Sequence, residues 1–258
     1  MKNTNSLNLV TSKNFNIKAY LDTCVNLRPS SLIMDDLKWK YMVRSAIRGK
    51  NILLLGPTGC GKTLAAQTVA KAIGREDNFF YFNLGATQDA RSALIGNTHF
   101  DKKTGTLFKE SSFIKAIRTP NAIILLDEIS RSHHDGVNIL MTVLDDLQRY
   151  LRLDEKDDCE VVKVADGVTF IATANVGNEY TATRVMDRAL LSRFPVKIEV
   201  TPLDKDAEFS LLKNRFDINS NEQLDVLKSV CEIADHTRKQ IKQEDSKLTN
   251  FIPTRSTV

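Results

Sequence analysis

The run Gly56-Pro57-Thr58-Gly59-Cys60-Gly61-Lys62-Thr63 fits the pattern G-x-x-x-x-G-K-[ST] and follows the apolar segment Asn51-Ile52-Leu53-Leu54-Leu55. Residues of these types at this spacing can bind a polyphosphate. The glycines allow backbone N–H groups to turn inward on the anion, Lys62 reaches the β and γ phosphates, and the Thr63 hydroxyl ligates magnesium. The candidate cradle therefore comprises Gly56, Pro57, Thr58, Gly59, Cys60, Gly61, Lys62, Thr63 and Leu64, where a helix takes over. That helix runs to Ile73 and stops at Gly74, which turns its positive end toward the phosphates.

Two further constellations belong to the same chemistry. The apolar run Asn121 to Leu126 ends in Asp127-Glu128. Asp127 would join Thr63 around magnesium, and Glu128 would deprotonate the attacking water. A solvated turn also yields adjacent acids, and only the phosphate loop upstream gives them this meaning. The run Val168 to Ala172 leads to Thr173-Ala174-Asn175, which puts an amide near the water or the γ-phosphate. Beyond it, Arg188-Ala189-Leu190-Leu191-Ser192-Arg193-Phe194 carries two cations that this chain's own phosphate loop does not require. Either suits a finger offered to a neighbour's nucleotide.

Positioning these groups takes strands alternating with helices, hence a mostly parallel sheet covered on both faces. Phe79 to Asn83 and Val196 to Val200 read as further strands. The segment Met34 to Arg48 reads as a helix whose Leu37, Tyr41 and Ile47, with Met34 and Arg44 alongside, pack beside the sheet. Trp39 is expected to be a core or interface aromatic. Ser132 is a candidate cap for a helix with Val137, Leu140, Val143, Leu144 and Leu147 on its apolar face. Residues 1–16 read as a flexible tail, 17–202 as the α/β nucleotide-binding unit and 203–258 as a helical lid, with helices over Ala207 to Phe216 and Glu222 to Ile241.

Composition narrows the class. The 258 residues are 42% hydrophobic and 26% charged, an ordinary globule with enough apolar material for a core. No apolar run approaches the roughly 18 residues of a membrane span, and the first residues lack a basic-then-apolar leader, which points to the cytoplasm. A net charge of +4 and a pI near 8.8 are compatible with nucleic acid but carry no specific message. Cys24, Cys60, Cys159 and Cys231 are scattered and read as reduced thiols. Cys60 is either oxidation-sensitive or simply a small residue that the loop tolerates. His133-His134 lacks companions at ligand spacing and reads as a helix start facing solvent or a subunit boundary. Arg131 is either a surface residue or a contact to a neighbour or central channel.

Together these motifs resemble the AAA+ ATPases, most closely the MoxR-like and CobS-like branch, which includes CbbQ and gas-vesicle relatives and is common in phage genomes. GPTGCGKT resembles Walker A and ILLDEIS resembles Walker B. Asn175 falls at sensor 1, Arg193 in SRF at the arginine finger with Arg188 as a second candidate, and Arg255 in PTR at sensor 2. The resemblance covers about residues 30 to 258. It implies ATP and Mg2+ as cofactors, a sheet of order 5-1-4-3-2, and a homo-oligomeric ring, a hexamer by family habit. The family's lid extends beyond the sensor 2 arginine, whereas only Ser256, Thr257 and Val258 follow here. Either a closing lid helix lies outside this sequence or the lid is minimal.

The same resemblance makes Leu84 to Pro120 the place of an inserted hairpin, with His99 to Gly105 as a pore-facing loop, and Leu151 to Val164 the hairpin before sensor 1. The plain alternative for both is a surface loop. Three functions follow: a remodeller of a protein client, sometimes paired with a von Willebrand A domain partner; a nucleic-acid motor of replication, repair or restriction; or a monomeric P-loop switch or kinase.

Overall fold

A computed structural model describes residues 16–101, 105–156, 159–175, 186–241 and 252–257. Five parallel strands form the central sheet: β1 (Ile52–Gly56), β2 (Phe79–Asn83), β5 (Ile123–Asp127), β8 (Thr169–Asn175) and β9 (Val196–Glu199). Their order, β2-β5-β8-β1-β9, is the 5-1-4-3-2 arrangement expected from the resemblance. The register sets Gly56 opposite Asn175 and Asn83 opposite Asp127. One edge of the sheet thus carries every strand-borne candidate at its carboxyl end, where ligands bind in open α/β sheets.

The strands β1, β5 and β8 are buried on both faces, which is why they are largely apolar, whereas β9 alternates buried and exposed side chains. Alternation sorts the side chains: Ile124 and Leu126 enter one core, while Ile123 and Leu125 enter the other. The first core is capped by α5 (Ser112–Arg118) and α6 (His134–Val143). There Phe113 packs edge-on to Phe82 at 5.3 Å and against Phe170. Removing that fully buried ring (Phe113→Ala) would cost about 3–5 kcal/mol.

The second core lies under α1 (Ile17–Thr23), α2 (Asp36–Ile47) and α3 (Lys62–Ala72). Asp35 caps α2 by accepting from the amides of Leu37 and Lys38. The buried face of α2 is Trp39, Met42, Val43 and Ala46, an i, i+3, i+4, i+7 stripe. This corrects the expected face. Ile47 and Met34 do pack on this core, but Leu37 is 75% exposed and Tyr41 41%. Trp39 wins the core position because its ring is buried and its Nε1 donates to the Cys24 carbonyl at 2.8 Å.

Two other expectations fail locally. Ser132 does not cap α6: a 3-10 turn over Ile129–Arg131 intervenes, His133 becomes the N-cap residue, and the Ser132 hydroxyl donates to the His133 carbonyl. The helix also ends before Leu147, which is 95% exposed in a turn where the Asp145 carboxylate accepts from the Leu147 and Gln148 amides.

Between β2 and β5, α4 (Ala90–Leu94) is followed by the antiparallel hairpin β3 (Gly96–Asp101) and β4 (Gly105–Glu110). The middle of the expected pore-facing loop, residues 102–104, lies outside the described residues. A second hairpin, β6 (Tyr150–Arg152) with β7 (Val161–Lys163), precedes β8. After β9 the described chain is helical: α8 (Lys205–Phe216), α9 (Asn221–Gln240) and α10 (Thr254–Thr257), with α7 (Arg188–Ser192) lying before β9. The core of this last part is small, with Leu212, Leu227 and Cys231 at its centre. No described helix is long and apolar enough to cross a membrane.

Candidate nucleotide site

The chain from β1 to α3 turns through positive φ at Gly59 and Gly61, the latter at +91°. An L side chain rarely adopts that geometry. Gly56 is needed for space, since a Cβ there would stand 2.1 Å from the Val200 carbonyl oxygen. The loop wraps back on Lys62, which is 7% exposed. Its ammonium donates to the carbonyls of Gly56 at 2.9 Å and Pro57 at 2.7 Å, and to Oδ1 of Asn175 at 2.9 Å. Burial pushes the Cys60 thiol up despite the nearby Lys62, which disfavours the reactive thiolate. Of the two readings of Cys60, the tolerated small residue is the one this environment suits.

Asp127 is held by three hydroxyls. Thr173 donates to Oδ1, while Tyr81 at 3.0 Å and Thr63 at 3.4 Å donate to Oδ2. The Thr173 oxygen in turn accepts from the Glu128 amide at 2.9 Å, which fixes the step from Asp127 to Glu128. Glu128 itself is left-handed at φ +56°, uncommon for a residue with a side chain and a cost of about 1–2 kcal/mol. Its carboxylate lies 3.4 Å from Arg131. Burial, followed by the Asp127 hydrogen bond and charge, raises the Tyr81 phenol above its ordinary value and keeps it a donor.

Among the described residues, no group of three or more His, Cys, Asp or Glu side chains gathers to hold a metal. One carboxylate and one hydroxyl, with the remaining positions left to phosphate oxygens and water, suits a hard cation such as magnesium. His133 and His134 are both exposed at the start of α6.

These groups open on a cleft of about 510 Å3. The loop from Thr58 to Leu64, Asp127, Glu128 and Asn175 line one part, and Leu32, Ile33, Leu203 and Leu211 supply an apolar part. Arg215 and Thr254 reach it from the C-terminal helices. Arg255 lies on α10 beside Thr254. Arg188 and Arg193 are not among the lining residues. Arg188 is exposed at the start of α7. Arg193 is held within its own chain: Nε donates to the Met141 carbonyl at 2.8 Å, Nη1 to that of Ala189 at 2.6 Å, and Nη2 is 3.5 Å from Asp145.

Motif reading missed Tyr81 and Arg215, because nothing local marks them; only the fold carries them to the cleft, where Thr254 of the PTR stretch joins them. Asn51 was also missed. Its amide donates to the carbonyls of Leu144 and Arg193, tying the ends of α6 and α7 to the sheet.

A family model described as the AAA domain of the dynein-related subfamily matches residues 51–194. The chain belongs to this AAA family. The matched span runs from the strand before the phosphate loop to just beyond Arg193, and ATP binding is the family's common property. Similar to this AAA chain is the "Putative chaperone BssE" of Thauera aromatica, 32% identical over 177 residues that cover 67% of this chain and 59% of BssE. An uncharacterised protein of Staphylococcus saprophyticus is 34% identical, covering 67% of this chain and 63% of its own length. This AAA chain therefore spans about three fifths of those relatives. Among solved structures, one titled a putative ATPase, from Cytophaga hutchinsonii, superposes with a TM-score of 0.56 at 18% identity, covering 84% of this chain and 64% of its own. That likeness is one of fold.

Proposed function

We propose that this chain hydrolyses ATP in the cleft between the phosphate loop and the C-terminal helices, and uses the turnover to remodel a protein client. The observation that carries the reading is the convergence of Lys62, Thr63, Asp127, Glu128 and Asn175, from two strand ends and one helix start, on one cleft.

In this reading the loop amides and Lys62 hold the phosphates, with Lys62 exchanging its Asn175 partner for a phosphate oxygen. Thr63 and Asp127 hold magnesium, which supplies charge neutralisation on the phosphates when bound. Glu128 accepts the proton of the attacking water, and the Asn175 amide orients that water. Arg255, on α10, would sense the γ-phosphate, as the sensor 2 resemblance implies. A finger from a second copy, Arg193 or Arg188, completes the site, so the working form is a homo-oligomeric ring, a hexamer by analogy with the MoxR-like and CobS-like branch. The tethered guanidinium of Arg193 would leave its own carbonyl partners on assembly, whereas Arg188 is already exposed. The hairpin of β3 and β4, with Phe100 77% exposed, is the element offered to the client. The chaperone name of the Thauera relative supports a protein client.

The test is steady-state ATP turnover with Mg2+ alongside binding of a fluorescent nucleotide. Lys62→Ala is expected to lose binding, and Glu128→Gln to keep binding and lose turnover. A Glu128→Gln protein that turns over ATP like the parent removes the assignment. Stimulation by DNA that falls steeply with salt would redirect the client from protein to nucleic acid.

A further inference from the structure

Asp127 has two carboxylate oxygens, and their surroundings differ. Oδ1 is taken by the Thr173 hydroxyl, which is itself locked because it also accepts from the Glu128 amide. Oδ2 is the oxygen on the Thr63 side, with the Thr63 hydroxyl 3.4 Å away and the Tyr81 phenol closer at 3.0 Å. Tyr81 stands in the middle of β2, opposite Leu125 of β5, while Asn83 stands opposite Asp127. The phenol must therefore reach along the sheet to meet the carboxylate. Its ring is 48% exposed and lines the cleft rather than filling the core. The neighbouring residues Phe80 and Phe82, pointing to the other face, are the ones that pack on the first core. Core packing therefore does not account for a tyrosine at this position.

We propose that Tyr81 is a positioning residue for the metal: its phenol fixes the orientation of Asp127 so that Oδ2 is presented beside Thr63. This rests on the reading of the cleft as a magnesium nucleotide site. Partners of this kind, which orient a ligand without touching the ion, commonly carry a large share of metal affinity. The phenol also stabilises the ionised carboxylate that the cation needs. Without it, Oδ2 keeps, among the described residues, only the longer Thr63 contact, and the carboxylate can rotate about the bond that Thr173 holds at Oδ1.

The test compares the parent protein with Tyr81→Phe, which keeps the ring and deletes one oxygen. Binding of a fluorescent ADP is measured in EDTA, and retention of Mn2+ by the protein–ADP complex is measured by electron paramagnetic resonance. The expected result is a roughly 10- to 100-fold weaker hold on Mn2+, with ADP affinity in EDTA and the thermal midpoint unchanged. Equal Mn2+ affinity in the two proteins would overturn the proposal. An equal loss of ADP affinity in EDTA would overturn it too, since Tyr81 would then shape the cleft rather than the metal site. A parent protein that binds no ADP under either condition would instead remove the nucleotide reading on which the proposal stands.

Discussion

Lys62 and Asn175 meet at 2.9 Å, the ammonium donating to the side-chain oxygen, so the phosphate loop and the end of β8 are joined by one hydrogen bond. The pair is 113 residues apart in sequence and becomes adjacent because β1 and β8 are neighbouring parallel strands with Gly56 opposite Asn175. A phosphate oxygen arriving at Lys62 competes with Asn175 for the same donor. Nucleotide binding and the aim of the Asn175 amide are therefore linked.

Asn175→Ala removes the amide proposed to orient water while leaving the cradle. Turnover is expected to fall about 10²-fold, the scale of losing one oriented polar group at a reacting centre, with nucleotide affinity nearly unchanged. Parallel measurement of kcat and of fluorescent-nucleotide affinity checks this. An effect confined to affinity would assign Asn175 to ground-state binding.

Gly85 sets the space available to Glu128. A Cβ at Gly85 would stand 2.3 Å from Oε2 and 2.9 Å from the Cβ of Glu128. The carboxylate cannot keep its place beside a methyl group, and displacement of a catalytic group by about 1 Å can cost around 10²-fold. Gly85→Ala is expected to lower kcat strongly while sparing ADP binding, read by turnover and titration on the same preparations.

The C-terminal helices depend on a buried ion pair. Arg238 and Glu208 are 6% and 0% exposed and meet through two contacts of 2.7 Å. The same guanidinium donates to the carbonyls of Leu203 at 3.1 Å and Ile252 at 2.9 Å, so one side chain ties together the start of this part and the segment leading to Arg255. Arg238→Met leaves an unpaired buried carboxylate, and a loss of about 3–5 kcal/mol is expected. The double variant with Glu208→Gln should recover part of it. Urea unfolding, with hydrogen exchange over residues 203–241, checks both; a double variant that is worse than the single one contradicts the account.

The parts of the site legible in the sequence are those whose geometry is local. Gly56 to Thr63 encode their own turn, and Asp127-Glu128 and Asn175 end strands that declare themselves by apolar runs. What escaped depends on contacts between distant segments. Trp39 is the core aromatic its type suggests, but its displacing Leu37 from the buried face depends on the Cys24 carbonyl, 15 residues away. The 3-10 turn at Ile129–Arg131 follows from the left-handed Glu128, whose amide bonds to Thr173. Tyr81 and Arg215 lie on separate elements, and no spacing rule connects them to the phosphate loop.

One chain is proposed to supply the cradle and water and a second the cation, and mixing tests this most directly. Glu128→Gln lacks the base, and Arg193→Ala combined with Arg188→Ala lacks both candidate fingers, so each alone should be inactive. Mixed, they form some interfaces with an intact Glu128 facing an intact arginine, and turnover should return in a ratio-dependent manner. No recovery at any ratio, with parent turnover per chain independent of protein concentration, would contradict the account.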